Sequence, residues 1–216
     1  MTESNQALLE QHLNLVLEAN KITNLTRIDS FEEGKKFHIE DSLTGLKEIN
    51  NAPQGRYADI GCGAGYPGIP LAISTGRETL LVDSVGKKIT VLDEIINEMQ
   101  LSNVSTYHGR IEDLAREQAN SFAVITARAL SQLSILMEFA SPLLIKGGYL
   151  ICYKSKLEDT EFNKAVSLEK QLGMKLISRR DFELYDTHRC IVVFEKVAKP
   201  SIKLPRKTGF AQKKPL

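Results

Sequence analysis

Four glycines, Gly61, Gly63, Gly65 and Gly68, fall within eight residues, directly after a short segment typical of a strand. Glycine lacks a Cβ, so the backbone there can turn sharply and lie against a ligand. The apolar segment Ile69–Ile73 that follows predicts a helix, and its N-terminal end would place partial positive charge at the same point. The spacing therefore predicts a cradle for a nucleotide or a nucleoside.

Two carboxylates flank this cradle. Asp59 lies two residues before Gly61, and Asp83 lies 22 residues beyond it, after the apolar strand predicted for Thr79–Val82. A carboxylate at the end of the second strand can accept hydrogen bonds from ribose hydroxyls.

A glycine loop of this kind is found in proteins that bind either of two cofactors, NAD or S-adenosylmethionine. The NAD fingerprint G-x-G-x-x-G is formally present from Gly63, but Pro67 lies inside it, and counting from Gly61 places Tyr66 where the third glycine belongs. The order D-x-G-x-G-x-G followed by an acid instead resembles the S-adenosylmethionine (AdoMet) loop of class I methyltransferases. AdoMet carries a positive sulfonium, which nearby carboxylates favour.

Composition bounds the class of protein. The chain has 216 residues, of which 42% are hydrophobic and 25% charged, as in a globular protein with one α/β domain and a small appendage. No apolar run approaches 18 residues, and the polar start differs from a signal peptide. The three cysteines and four histidines lack metal-ligand spacing. We expect a cytoplasmic monomer with no membrane span and no metal.

Charge is unevenly distributed along the chain. Of the 28 Lys and Arg residues, six lie in residues 199–216, which contain no acid. The remaining 22 cations face 27 acids, so a basic C-terminal tail follows a body of net charge −5. This asymmetry indicates a polyanionic partner, with a solvated, disordered tail as the alternative.

Strand and helix patterns alternate over most of the chain. Helical spacing predicts helices over 4–20 and 31–49, which form an N-terminal extension of residues 1–52. Residues 53–198 form the predicted AdoMet-binding domain, a doubly wound, mostly parallel α/β sheet, and residues 199–216 form the tail. The predicted strands are 57–60, 79–82, 104–107, 122–126, 149–153, 174–178 and 190–195. The predicted helices between them are 87–100, 111–117, 131–145 and 159–172.

Motifs spread over the chain resemble one family. They are NLT at 24–26, HIEDSL at 38–43, DIGCGAGYPGIP at 59–70, LVDS at 81–84, RIE at 110–112, ARA at 127–129, LPRKTG at 204–209 and KKPL at 213–216. Together they resemble the 16S rRNA (guanine-N7) methyltransferase G family, also called glucose-inhibited division protein B. Cys62 stands where that family usually has Ser or Thr, and Ala127 stands where it usually has Ser. Thr187–Arg189 is a looser match to the family's E-R-H motif.

The resemblance implies the fold of class I AdoMet methyltransferases, AdoMet as methyl donor, and 16S rRNA or the small ribosomal subunit as partner. It implies cofactor contacts at Asp59, Gly61, Gly63, Gly65, Tyr66, Asp83, Ile111, Glu112 and Arg128. Arg128 and Asp41 are candidates for positioning the reactants. Candidate RNA-binding residues are His38, Lys154, Arg189, Arg206, Lys207, Lys213 and Lys214. We expect the tail to bind RNA, and we expect its removal to leave the affinity for AdoMet near normal.

No catalytic acid or base is assigned. The stretch Thr126–Ala129 after the fourth strand carries neither the [DN]-P-P-[YF] motif of exocyclic-amine methyltransferases nor a Pro-Cys pair. Guanine N7 bears no proton, so its methylation requires no base and no covalent enzyme intermediate. The alternatives are a methyltransferase acting on a small molecule or a protein, and a non-catalytic RNA-binding assembly factor with this fold.

Overall fold

The computed structural model describes residues 2–216, and in that range one sheet of seven strands forms the centre of the molecule. Its order is β3-β2-β1-β4-β5-β7-β6. The first five strands are parallel, whereas β7 is antiparallel to both of its neighbours. The strands are β1 Tyr57–Ile60, β2 Thr79–Asp83, β3 Val104–His108, β4 Phe122–Arg128, β5 Leu144–Lys154, β6 Met174–Leu184 and β7 Thr187–Lys196.

The helices and the continuous burial of the central strands confirm the predicted doubly wound α/β fold. All four residues of β1 are buried, as is typical of a parallel strand covered on both faces. The helices are α1 Glu3–Asn20, α2 Phe31–Gly34, α3 Asp41–Leu43, α4 Leu46–Asn51, α5 Gly68–Thr75, α6 Gly86–Glu98, α7 Ile111–Glu117, α8 Leu133–Ala140, α9 Asp159–Ser167, α10 Glu169–Leu172 and α11 Phe210–Lys213.

The N-terminal extension packs on the sheet domain through its apolar stripe. Leu9, Leu13 and Val16 of α1 are fully buried, and α1 contacts α5 and α6. This apolar contact fixes the extension beside the loop that follows β1, so it can contribute side chains to a site there.

The prediction of one continuous helix over residues 31–49 is wrong. Between α2 and α3, residues Lys35–Glu40 form a π-helical segment, and α3 ends before Gly45. A Cβ at Gly45 would lie 1.9 Å from the hydroxyl oxygen of Tyr153 in β5. The chain therefore changes conformation where a side chain of the sheet approaches its backbone, a tertiary contact that helical periodicity does not encode.

Several other predicted boundaries are also wrong, and two of them have a visible cause. The helix predicted to reach Ile145 ends at Ala140, because Pro142 offers no backbone donor and the chain enters β5 at Leu144. The strand predicted to end at Ser178 continues to Leu184 and pairs with β7 in a long hairpin. Its second half is mostly polar, because an edge strand exposes alternate residues to solvent.

The C-terminal residues 199–216 lie against the body instead of extending into solvent. Ala211 in α11 is buried, and Ile202, Leu204 and Leu216 pack against the largest apolar cluster. This segment contributes to the site described below.

Candidate active site

The carboxyl ends of β1, β2, β3 and β4 meet at a cavity of about 280 Å³, which we call the cofactor cavity after the prediction made from the glycine loop. Parallel α/β sheets bind their ligands at this edge. Its wall includes Gly61 and Gly63 from the loop after β1, Asp83 at the end of β2, and Glu112 after β3.

Two glycines make the loop after β1 compatible with a closely bound ligand. Gly61 has a φ of 71°, and a Cβ there would lie 2.6 Å from Cδ1 of Leu130. Gly63 has a φ of 57°, and a Cβ there would meet no atom within 4 Å. Because Gly63 lines the cavity, the space beside its backbone is open to a ligand.

The Asp83 carboxylate is held in a fixed orientation at the edge of the cavity. Its Oδ2 accepts a hydrogen bond from the Gly63 amide at 3.0 Å, and its Oδ1 accepts one from the Val85 amide at 2.9 Å. A carboxylate has about four acceptor sites, so both oxygens retain capacity for ligand hydroxyls.

Asp59 was predicted as a cofactor contact, and the structure places it beneath the loop instead of on the cavity wall. It is 1% exposed. Its Oδ2 accepts from the Gly68 amide at 2.9 Å and its Oδ1 from the Thr126 hydroxyl at 2.6 Å. Burial raises the pKa of Asp59 to about 7, although these two hydrogen bonds oppose the increase. Its visible role is to fix the backbone of the loop and the start of α5.

Ile111 and Glu112, predicted to contact the cofactor, lie on the cavity wall after β3. Glu112 is 6% exposed, and its Oε1 accepts a hydrogen bond of 2.7 Å from the amide of Gly209. Gly209 and Gln212 of the C-terminal segment also line this cavity. The C-terminal segment therefore forms part of the cavity wall, and it adds two wall residues that the sequence did not indicate.

Gly65 and Tyr66 lie in the same loop but not among the residues that line the cofactor cavity. The Tyr66 ring is buried in an aromatic stack. The His38 ring lies 4.3 Å from it at an interplanar angle of 11°, and the His12 ring lies 4.5 Å away at 38°. The guanidinium carbon of Arg128 lies 5.7 Å from the ring centroid. Through this stack, Tyr66 connects the N-terminal extension to the loop.

Burial keeps the two stacked histidines neutral. It lowers the pKa of His12 to about 3 and, together with the positive charge of Arg128, that of His38 to about 4. The His38 Nε2 lies 2.9 Å from the Thr26 hydroxyl oxygen. His38 was predicted to contact RNA. Its side chain is only 7% exposed, and it forms part of the wall of the second cavity described below.

A second cavity of about 350 Å³, which we call the substrate cavity after the role proposed for it below, adjoins the cofactor cavity at Ala129, a residue that lines both. Inside it, Asp41 accepts hydrogen bonds from Arg128 Nη1 at 2.8 Å and from Arg189 Nε at 2.7 Å. The extension, β4 and β7 are joined by this pair of ion pairs. Arg128 lines the substrate cavity and is absent from the cofactor-cavity wall.

The predicted RNA-binding cations occupy different environments. Lys154 lines the substrate cavity and pairs with Glu161 at 2.7 Å. Arg206 donates two hydrogen bonds, of 2.7 and 2.6 Å, to the buried Glu138, so its guanidinium holds the C-terminal segment to α8. The side chains of the remaining tail candidates are exposed: Lys207, Lys213 and Lys214.

Burial disfavours the reactive thiolate form of all three cysteines. Cys62, Cys152 and Cys190 are each at most 1% exposed, and burial raises the pKa of each thiol, to about 11 for Cys190. Across residues 2–216, no group of three His, Cys, Asp or Glu is arranged to hold a metal ion. Over the same range, no helix combines the length and apolar character needed to cross a membrane.

Solved structures share this architecture. Geranyl diphosphate C-methyltransferase from Streptomyces coelicolor A3(2) has a TM-score of 0.62 at 10% identity, covering 73% of this chain and 78% of that one. Precorrin-6y C5,15-methyltransferase from Geobacter metallireducens GS-15 has a TM-score of 0.54 at 13% identity, covering 72% and 88%. At such identities the similarity shows the fold alone, which is that of class I AdoMet methyltransferases.

Sequence comparison is more specific. The family profile described as rRNA small subunit methyltransferase G matches residues 5–186. The ribosomal RNA small subunit methyltransferase G of Lachnoclostridium phytofermentans is 37% identical over 96% of this chain and 88% of its own length. That of Desulfitobacterium hafniense is 38% identical over 93% and 85%. The chain belongs to the rRNA small subunit methyltransferase G family, which confirms the resemblance found in its motifs.

Proposed function

We propose that this protein methylates N7 of one guanine in 16S rRNA, using AdoMet, as a cytoplasmic monomer. Membership of the rRNA small subunit methyltransferase G family over residues 5–186 carries the proposal. The two adjoining cavities support it, because methyl transfer requires donor and acceptor sites that lie side by side. Their shared residue, Ala129, lies between the two proposed sites.

The cofactor cavity fits AdoMet. Asp83 would accept hydrogen bonds from the ribose hydroxyls, and the open backbone at Gly63 would lie against the nucleoside. Ile111 and Glu112 would flank the adenine, as the family resemblance implies. Tyr66, Gly65 and Asp59 would act indirectly, by fixing the loop.

Bound in the cofactor cavity, AdoMet would supply a methyl group on a positively charged sulfur. Its transfer to the N7 lone pair would break the carbon–sulfur bond, leave that electron pair on sulfur and move positive charge to the purine. The task of the protein is to hold N7 about 3–3.5 Å from the methyl carbon, since correct positioning lowers the barrier substantially.

The groups around the cavities fit a reaction without a base or an enzyme nucleophile. The raised pKa of Cys190, about 11, keeps this thiol protonated at neutral pH, although it lines the substrate cavity. The lowered pKa of His38, about 4, makes that ring a weak proton acceptor. Guanine N7 requires neither group, because it carries no proton.

The exposed lysines of the C-terminal segment favour an RNA substrate over a small molecule. Lys207, Lys213 and Lys214 lie on the segment that closes the cofactor cavity. Lysines grip phosphates without recognising sequence, so they would set the position of the RNA chain over the two cavities. A small substrate would require no such grip.

The test is a map of modified bases in 16S rRNA from cells that contain or lack this protein. We expect one 7-methylguanosine to disappear with the protein and to return with the wild-type chain. The Gly61→Asp variant should fail to restore it, because a side chain there would collide with Leu130 and strain a residue with positive φ. An unchanged 16S rRNA would refute the proposed function.

A further inference from the structure

The substrate cavity contains a carboxylate that the transfer of a methyl group does not by itself require. Asp41 lines this cavity, and among its lining residues in the described chain, 2–216, it is the only acid. At about 350 Å³, the cavity falls in the range of small-ligand sites. The inference that follows rests on the proposed function, and it concerns how the base is recognised.

Asp41 is held rigidly, but it is not saturated. Arg128 binds one carboxylate oxygen and Arg189 binds the other, at 2.8 and 2.7 Å. A carboxylate offers about four acceptor sites, so each oxygen retains one. The two arginines come from β4 and β7 and therefore fix the plane in which these remaining sites lie.

Two adjacent acceptors match one nucleobase edge. On its Watson–Crick edge, guanine presents N1–H and N2–H side by side, whereas adenine and cytosine present a ring acceptor there and uracil has carbonyls on both sides of its donor. Enzymes that act on a base outside the stack recognise it by such edges. We propose that Asp41 accepts both N1–H and N2–H of the target guanine and thereby selects guanine over the other bases.

This orientation agrees with the position of the two cavities. N7 lies on the edge of the purine opposite N1 and N2. A guanine bound to Asp41 by its Watson–Crick edge thus directs N7 away from that carboxylate and leaves its lone pair free. Ala129, where the substrate cavity meets the cofactor cavity, is the region that N7 must reach.

The same contact strengthens during the reaction. Methylation at N7 places positive charge on the purine, so N1–H and N2–H become better donors to a negative acceptor. An interaction stronger in the transition state than in the bound substrate raises kcat and not only affinity. Asp41 therefore acts on both base selection and rate, as a specificity-determining residue.

If Asp41 had only a structural role, its ion pairs would hold the N-terminal extension against the sheet and would not affect base recognition. Glu48 provides the matched control, because it lies on the same extension and its carboxylate also pairs with an arginine, Arg180, at 2.8 Å. Its side chain is 8% exposed, as is that of Asp41. Glu48 does not line the substrate cavity.

The experiment compares guanosine with inosine at the target position of 16S rRNA in unmethylated small subunits. Inosine keeps N7 and N1–H but lacks the N2 amino group. For the wild type, kcat/KM should fall at least about tenfold with inosine, the effect of losing a hydrogen bond to a charged group. In Asp41→Asn the guanosine-to-inosine ratio should fall to about one, because an amide cannot accept from both donors. Glu48→Gln should keep the wild-type ratio.

Each outcome decides the matter. A wild-type ratio near one overturns the proposal without any variant, as does an Asp41→Asn ratio equal to that of the wild type. If Asp41→Asn and Glu48→Gln lower the ratio equally, Asp41 is structural and the proposal is wrong. Failure of the wild type to methylate guanosine at N7 would instead refute the proposed function itself.

Discussion

Arg206 should control cofactor affinity from outside the cofactor cavity. Its guanidinium forms a two-point contact with Glu138 of α8, whose side chain is 3% exposed, and also donates to the Lys214 carbonyl oxygen at 3.1 Å. This contact holds the segment that brings Gly209 and Gln212 to the wall of the cofactor cavity. Arg206→Ala should therefore release the segment.

The expected losses of stability and of ligand affinity follow from the contacts of Arg206 and of Gly209. Removing one partner of a buried ion pair costs about 3–5 kcal/mol. The segment can detach and let water reach Glu138, so the loss is limited to the free energy of docking, and we expect about 3 kcal/mol. Detachment also removes the Gly209 hydrogen bond to Glu112, which is worth about 1.5–3 kcal/mol because the acceptor is charged. Binding of S-adenosylhomocysteine would then have to dock the segment again, and a cost of about 1.4 kcal/mol or more lowers the affinity about tenfold or more.

Urea unfolding measures the stability change, and titration calorimetry with S-adenosylhomocysteine measures the affinity. The control is the double variant Arg206→Met with Glu138→Leu, which replaces the ion pair by apolar side chains and should recover most of both losses. If Arg206→Ala destabilises the protein but binds S-adenosylhomocysteine as tightly as the wild type, the C-terminal segment is not part of the cofactor site.

Three further predictions address the loop, the stack and the thiols. Asp83→Ala should weaken S-adenosylhomocysteine binding about a hundredfold in calorimetry, since two hydrogen bonds to a charged group are lost, while an unchanged Kd would remove Asp83 from the site. His12 has its pKa lowered to about 3 by burial, so below pH 6.5 the unfolded chain binds a proton that the native state does not, and stability declines as pH falls. Between pH 6.5 and 5.5, the free energy of unfolding should therefore fall by about 1 kcal/mol less in His12→Phe than in the wild type. Leu13→Val should show the same pH dependence as the wild type. Parallel plots of unfolding free energy against pH for the wild type and His12→Phe would contradict the role of His12. Cys152→Ala should retain methyl transfer, because burial raises the pKa of this thiol and keeps it protonated, and a variant that binds both substrates without turnover would indicate a covalent intermediate.

Local patterns in the sequence were sufficient for the fold and the cofactor loop. The alternation of strand and helix, the glycines from Gly61 and the acid at Asp83 are each set by residues close together in the chain. Backbone freedom at glycine and the burial pattern of parallel strands are local properties, so they appear directly in the sequence. Asp83, predicted from its position after an apolar segment, lies at the edge of the cofactor cavity.

Tertiary structure decided which charged groups are available and which are engaged with each other. Arg206 and Asp59 looked like ligand contacts, yet each is bound to a partner 68 or 67 residues away, Glu138 and Thr126 respectively. Asp41 meets Arg189 across 148 residues of chain. A charge pairs with whatever the folded chain brings within hydrogen-bond distance, and no local pattern records that partner. The motifs therefore indicated a cofactor loop, but the substrate cavity exists only once the extension, β4 and β7 have assembled around it.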